Sequence, residues 1–282
     1  MRALAVLTLG LTAVACSSPP TPAPDSGFDA GIDAGVDAGP PAPICLPDPI
    51  DSGTADAGWD GGYDYSCRGR ALEAGGQAEL VVSGKVTKAG FTRTPLAGIQ
   101  LELLRGDGGV LATTTSDDAG LYRLTFDAGC ERVEGEVRAT HPQSDAGFYL
   151  SYAVPPAPWT RDRSELEMVL FDLSTSQLAA AIAGVTVVDG TAVLALKVVD
   201  CAGNPVAGAV VSTAGSVGTV RYVTVSGLPS TTASATSAVG DVIIFNVPGS
   251  NVEVIATVDG GTIGQRVVPL HPGSVSGTSL AP

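Results

Sequence analysis

The chain has 282 residues, with 15 Lys and Arg against 29 Asp and Glu, for a formal net charge of −14. That balance excludes a nucleic-acid binder, whose affinity rests on a basic surface. Aromatic residues make up 5% and apolar residues 44%, with 36 Gly and 20 Pro. This is too few large side chains for one big core and too many apolar ones for a disordered chain, so small β modules with a separate polar segment are expected.

Residues 1–15 carry one charge, Arg2, then an apolar run from Ala3 to Ala15 that ends in small residues before Cys16. The run is shorter than the roughly 20 residues a membrane-spanning helix needs and reads as a secretory signal. Ala13-Val14-Ala15-Cys16 resembles a bacterial lipobox, with Ala13 where that family most often has Leu. The resemblance implies cleavage before Cys16 and lipid modification of Cys16. More than one acyl chain, at about 0.8 kcal/mol per buried methylene, would hold the protein stably at a membrane face. The expected location is therefore the bacterial cell envelope, with the lipid as membrane partner; Ser17 is compatible with the outer membrane in the enterobacterial sorting pattern. An ordinary secretory signal that discards Cys16 is the alternative.

Residues 16–78 read as the lipidated cysteine followed by a disordered acidic tether. Nine aspartates and no Lys or Arg fall between residues 17 and 67, with a period-four Asp-Ala-Gly repeat at Asp29, Asp33 and Asp37. Such a segment lacks apolar periodicity and repels itself, which predicts an extended spacer. The tract resembles spacers in surface lipoproteins of myxobacteria and their relatives. Calcium binding is disfavoured because no Glu closes a loop before Glu73.

Setting Cys16 aside leaves Cys45, Cys67, Cys130 and Cys201, an even number in an exported chain, with three pairings open. A Cys45–Cys67 loop is the favoured one, worth about 3 kcal/mol in the chain-entropy treatment. Cys130 and Cys201 then either pair across the modules or stay separate. There is no CxxC, and His141 and His271 are each followed by Pro, so no metal or cofactor is expected.

Residues 79–173 and 191–282 repeat one another through three anchors. Thr94-Pro95-Leu96-Ala97-Gly98 matches Asn204-Pro205-Val206-Ala207-Gly208, each between alternating stretches that read as half-buried strands. The run from Thr115 to Leu124, with Gly120, matches Thr236 to Phe245, with Gly240, as turn into strand. Glu136-Val137-Arg138-Ala139-Thr140 matches Glu253-Val254-Ile255-Ala256-Thr257. The second copy carries about ten extra Ser- and Thr-rich residues that lengthen one hairpin or loop. The fold class expected is all-β: two tandem antiparallel sandwiches. The runs SGKVT, TPLAGIQLEL and TTTSDDAGLYRL resemble the carboxypeptidase regulatory-like domain, and VVDCAGNPVAGAVVS resembles a more divergent member. The resemblance implies prealbumin-like (Ig-like), seven-stranded sandwiches and carries no catalytic positions.

Between the copies, within residues 174–190, Ser174 to Gly184 reads as a short helix capped by Ser or Thr and stopped by Gly184, a connector whose Ala-rich face could pack the modules together. No G-x-S-x-G, phosphate loop or G-x-G-x-x-G occurs, and the acidic pairs fall in a turn or along a strand face. Lys197 is the candidate for an internal amide cross-link, but none of Asn204, Asn246 and Asn251 lies in a final strand. The reading is an anchored, non-catalytic envelope lipoprotein with a structural or binding role, whose partner is an envelope protein or polysaccharide. The alternative is a carbohydrate-binding surface protein using Phe148, Tyr149, Tyr152 and Trp159 as an aromatic platform.

Overall fold

The computed structural model describes residues 62–68, 76–90, 92–143 and 147–282. The signal, Cys16 and Cys45 lie outside these residues, as does most of the acidic tract.

The first module holds β1 (Glu79–Lys88), β2 (Thr94–Pro95), β3 (Gln100–Arg105), β4 (Val110–Thr115), β5 (Leu121–Asp127), β6 (Gly135–Thr140), β7 (Ser151–Ala153) and β8 (Arg163–Leu170). Helix α1 (Leu173–Ile182) follows. The second module holds β9 (Ala192–Val198), β10 (Val210–Thr213), β11 (Thr219–Tyr222), β12 (Asp241–Val247), β13 (Asn251–Val258), β14 (Gly261–Pro269) and β15 (Val275–Leu280). The strands alternate as their sequences require. On β9, Ala192, Leu194, Leu196 and Val198 point into the core, and on β5 Tyr122, Leu124 and Phe126 do. The protein is thus all-β, two sandwiches with a short helix between them.

The repeat is present in the hydrogen bonding as well as the residues. In each module the first strand lies between an antiparallel neighbour (β5 or β12) and a parallel one (β8 or β15), with Val86 opposite Met168 and Val198 opposite Leu280. The opposing layers are β3-β6-β7 and β10-β13-β14. Gly120 and Gly240 occupy the same turn, at φ +75° and +70°, where an added Cβ would sit 2.5 Å from the Val86 carbonyl oxygen and 2.6 Å from that of Val198. Ser116 and Thr236 are likewise paired: each buried hydroxyl accepts from a backbone N–H (Ile99, Ala209) and donates to a carbonyl (Leu96, Val206). The copies part after this frame. Strand β4 joins β3, whereas β11 joins β12 in the other layer, and the Ser/Thr-rich insertion forms the irregular stretch 223–235 after it.

Helix α1 starts from Asp172 rather than from Ser or Thr. Its carboxylate accepts the Thr175 N–H at 2.6 Å and the Ser174 hydroxyl at 2.8 Å, and pairs with Lys88 Nζ at 2.5 Å. Burial works against the charge, but these donors win and hold the Asp172 carboxyl well below the usual carboxylate range. Ala180 and Ala183 press against Phe245, with Val193 and Ile243 beside it, so α1 covers the outer face of the second module.

Strand alternation did not reveal that the modules share a sheet. Strand β15 pairs in parallel with β7, Val275 opposite Ser151 and Gly277 opposite Ala153, fusing two layers into one eight-stranded sheet ordered β11-β12-β9-β15-β7-β6-β3-β4. The two cores lie on opposite faces of it: at the seam Ala153 belongs to the first core and Val154, its neighbour in the chain, to the second.

Candidate functional site

Two constellations join parts of the chain that are far apart in sequence. The first is a strap, residues 62–68, inside the stretch expected to be a free tether. Tyr65 is 5% exposed and belongs to the second module's core, and the Tyr63 hydroxyl accepts the Ala207 N–H at 3.0 Å. The Asp64 carbonyl accepts from Cys201 N at 2.7 Å. Asp200 anchors the turn below it, its carboxylate accepting from Asn204, Ala202 and the Asp64 N–H. Burial raises its carboxyl, but these donors outweigh burial and lower it overall.

Cys67 closes the strap in a disulfide with Cys201, Cα to Cα 5.5 Å. This corrects the favoured Cys45–Cys67 loop. Spacing in a Gly- and Asp-rich stretch favours local closure, but docking of the strap places Cys67 against the turn that carries Cys201. Cys130 is also disulfide-bonded, so it does not pair with Cys201.

The second constellation sits at the seam. Alternation puts Glu136 and Arg138 on one face of β6, while register sets Arg138 between Glu102 and Tyr152. Arg138 Nε donates to Glu102 Oε2 at 2.7 Å, its terminal nitrogen reaches the same oxygen, and it also bonds the Tyr152 hydroxyl. His271, in the loop between β14 and β15, stacks on Tyr152 with ring centroids 3.8 Å apart, and its Nε2 lies 2.5 Å from Glu136 Oε1. Glu136 is 8% exposed, and its second oxygen is buried without a hydrogen-bond partner among the described residues. Burial pushes its carboxyl above the ordinary value of 4.5, and His271 and Arg138 offset this only in part. The Tyr152 phenol is raised, mainly by burial.

A carboxyl raised in the folded state binds a proton more tightly than in the unfolded chain. Its contribution is therefore fully present below pH 4.5 and is lost as the pH rises through the Glu136 range. Glu136→Gln should remove that slope, which for one proton is at most about 1.4 kcal/mol per pH unit. Melting curves of both proteins across pH 4 to about 8 check it: the wild type should lose stability relative to the variant as pH rises. A difference that is flat, or of opposite sign, would show that Glu136 stays charged throughout.

The aromatic platform is not assembled. Trp159 is 1% exposed in the first core, and Tyr152 is 6% exposed under His271. Phe148 stacks on His141 at 4.7 Å with Lys88 Nζ 5.7 Å from its ring centre, and Tyr149 lines a narrow apolar cleft beside α1. Trp159 and Tyr152 thus face inward, while Phe148 and Tyr149 are half-buried and do not form a common surface with them. Lys197 Nζ pairs with Asp241 at 2.7 Å, the two side chains 44% and 40% exposed, as an ordinary surface ion pair. Among the described residues no group of three or more His, Cys, Asp or Glu could hold a metal ion, and no helix is long and apolar enough to cross a membrane. The seam cluster escaped sequence reading because Glu136 and His271 lie 135 residues apart.

No family model and no curated protein matches the chain. Among solved structures it is similar to the Bacillus anthracis TIE protein, at TM-score 0.23 and 12% identity over 72% of this chain and 33% of that one. It is also similar to a streptococcal ancillary pilin, at 0.22 and 11% over 73% and 63%. A third is the BSP domain of a biofilm associated protein, at 0.18 and 13% over 72% and 29%. The chain thus spans less than two thirds of each of them, and at these scores the likeness assigns neither family nor function.

Proposed function

We propose that the protein is a membrane-anchored lipoprotein of the bacterial cell envelope that displays a rigid, non-catalytic double sandwich. The observation that carries this is the Cys67–Cys201 disulfide between the strap and the second module. Such cross-links persist in oxidising compartments, which supports a body outside the cytoplasm and an export signal ending at Cys16. The acidic tract would hold the body away from the membrane. A shared sheet, a helix laid across the second module and a disulfide suit a body that transmits position rather than one that opens and closes around a substrate.

The test is the intact mass and fractionation of the protein from its native host. A diacyl or triacyl increment on Cys16 is expected, with loss of membrane association in Cys16→Ser. An unmodified Cys16, or a Cys16→Ser protein that still sediments with membranes, would sink the anchor.

A further inference from the structure

Sheet edges invite further strands, and most edges among the described residues are blunted. Strand β8 carries Arg163, Glu165 and Glu167 with an irregular register. Strand β5 exposes Arg123 and Asp127, and β2 is two residues ending in Pro95. In the second module β10 and β11 have four residues each, Arg221 of β11 donating to the Ala183 carbonyl, while β14 ends in Pro269. Strand β4 differs. It is the terminal strand of the eight-stranded sheet, six residues long, Val-Leu-Ala-Thr-Thr-Thr, with no charge and no proline; its register against β3 shifts once, at Leu111, and is regular from Ala112 to Thr115, and Val110 is 53% exposed.

We propose that β4 is an acceptor edge that takes an extended, basic peptide segment of a partner protein as a ninth strand. The backbone sets which groups are offered. Ser116 exchanges bonds with Ile99 and Gly98 on the β3 side, so Thr114 also faces β3, while Thr113 and Thr115 turn their N–H and C=O outward. The same sheet already grows in this way within the chain, where β15 adds to the edge of β7.

Charge selects the occupant. Asp117 and Asp118 follow one end of β4, and Asp107 precedes the other, in a cleft shared with Arg105, Arg132, Glu131 and Glu134. Antiparallel pairing with a second copy would set Asp107 against Asp117 and Asp118 of that copy, between chains of net charge −14. A strand flanked by lysines meets the opposite field. The proposal adds a partner class to the display reading and does not depend on the lipid.

The test uses the full-length chain and a synthetic ten-residue probe, alternating Thr and Val between paired lysines, with a mate carrying Glu in place of Lys. Amide-resolved hydrogen exchange should slow at Thr113 and Thr115 when the lysine probe is added. The glutamate probe should bind roughly tenfold more weakly at low salt, the gap closing at high salt. Thr113→Pro deletes an outward donor and leaves the β3 ladder intact, so it should abolish binding. If that variant does not fold, Thr113→Lys should weaken the lysine probe and spare the glutamate one. Protection elsewhere, no binding, unchanged affinity in a folded Thr113→Pro, or self-association that protects β4 without peptide would each overturn the proposal.

Discussion

Replacing both Cys67 and Cys201 by Ser should cost about 3–5 kcal/mol and lower the melting temperature by roughly 10 °C. The two cysteines are 134 residues apart, so the cross-link removes a large share of the unfolded chain's freedom. It also holds a short strap whose only large buried group is Tyr65. Without the bond that strap must dock on the burial of one ring and a few backbone contacts, against the entropy of ordering seven residues. Limited proteolysis should therefore cut the double variant within residues 62–76 and leave the sandwiches intact. Mutation is the cleaner test, because a reductant would also open the disulfide of Cys130. An unchanged melting temperature together with an uncut strap would mean that Tyr63, Tyr65 and Asp64 suffice, and that the bond follows docking without supporting it.

The strap also shows where sequence reading stopped. The strands of both modules were legible because alternation of apolar residues is a local record of which face is buried, and the Pro-x-Ala-Gly and Gly120/Gly240 turns punctuate it. Tyr63 and Tyr65 carry no such record: they stand two apart among Gly and Asp, and only the second module's core and the Ala207 N–H give them a place. The disulfide pairing depends on that docking and was hidden with it. The seam was hidden for another reason. Strand β7 has three residues, and its partner in β15 reads Val-Ser-Gly, too short and too small for periodicity to register. The aromatic residues between 148 and 159 were visible, but residue type does not say whether a ring faces solvent, and Trp159 and Tyr152 face inward.

At Gly84 the first module has no side chain, while β9 keeps a regular parallel register with β15 and buries Leu194 and Leu196. The difference lies in β8. Its register against β1 shifts between Val82 and Gly84, at Glu165, whose φ is +62°. The shift drives the Leu166 carbonyl to within 1.9 Å of where a Gly84 Cβ would stand. That carbonyl accepts the hydroxyl of Tyr122, the residue paired with Gly84 from the other side, at 3.0 Å. Glycine, bulge and tyrosine are one device: the missing Cβ makes room for a carbonyl, and the carbonyl satisfies a phenol that is 5% exposed.

Gly84→Ala should therefore destabilise the protein by roughly 3 kcal/mol, through the displaced β8 ladder and a buried hydroxyl left without its acceptor. Tyr122→Phe alone should cost about 1 kcal/mol, the net value of one hydrogen bond. In the Gly84→Ala background the same change should instead recover about 1 kcal/mol, because it removes a buried hydroxyl that has already lost its acceptor, giving a coupling of about 2 kcal/mol in the double-mutant cycle. Denaturant melts of the four proteins measure it. Additive losses would show that the Leu166 carbonyl keeps its phenol when the methyl is added, and that β1 shifts to make room instead of β8.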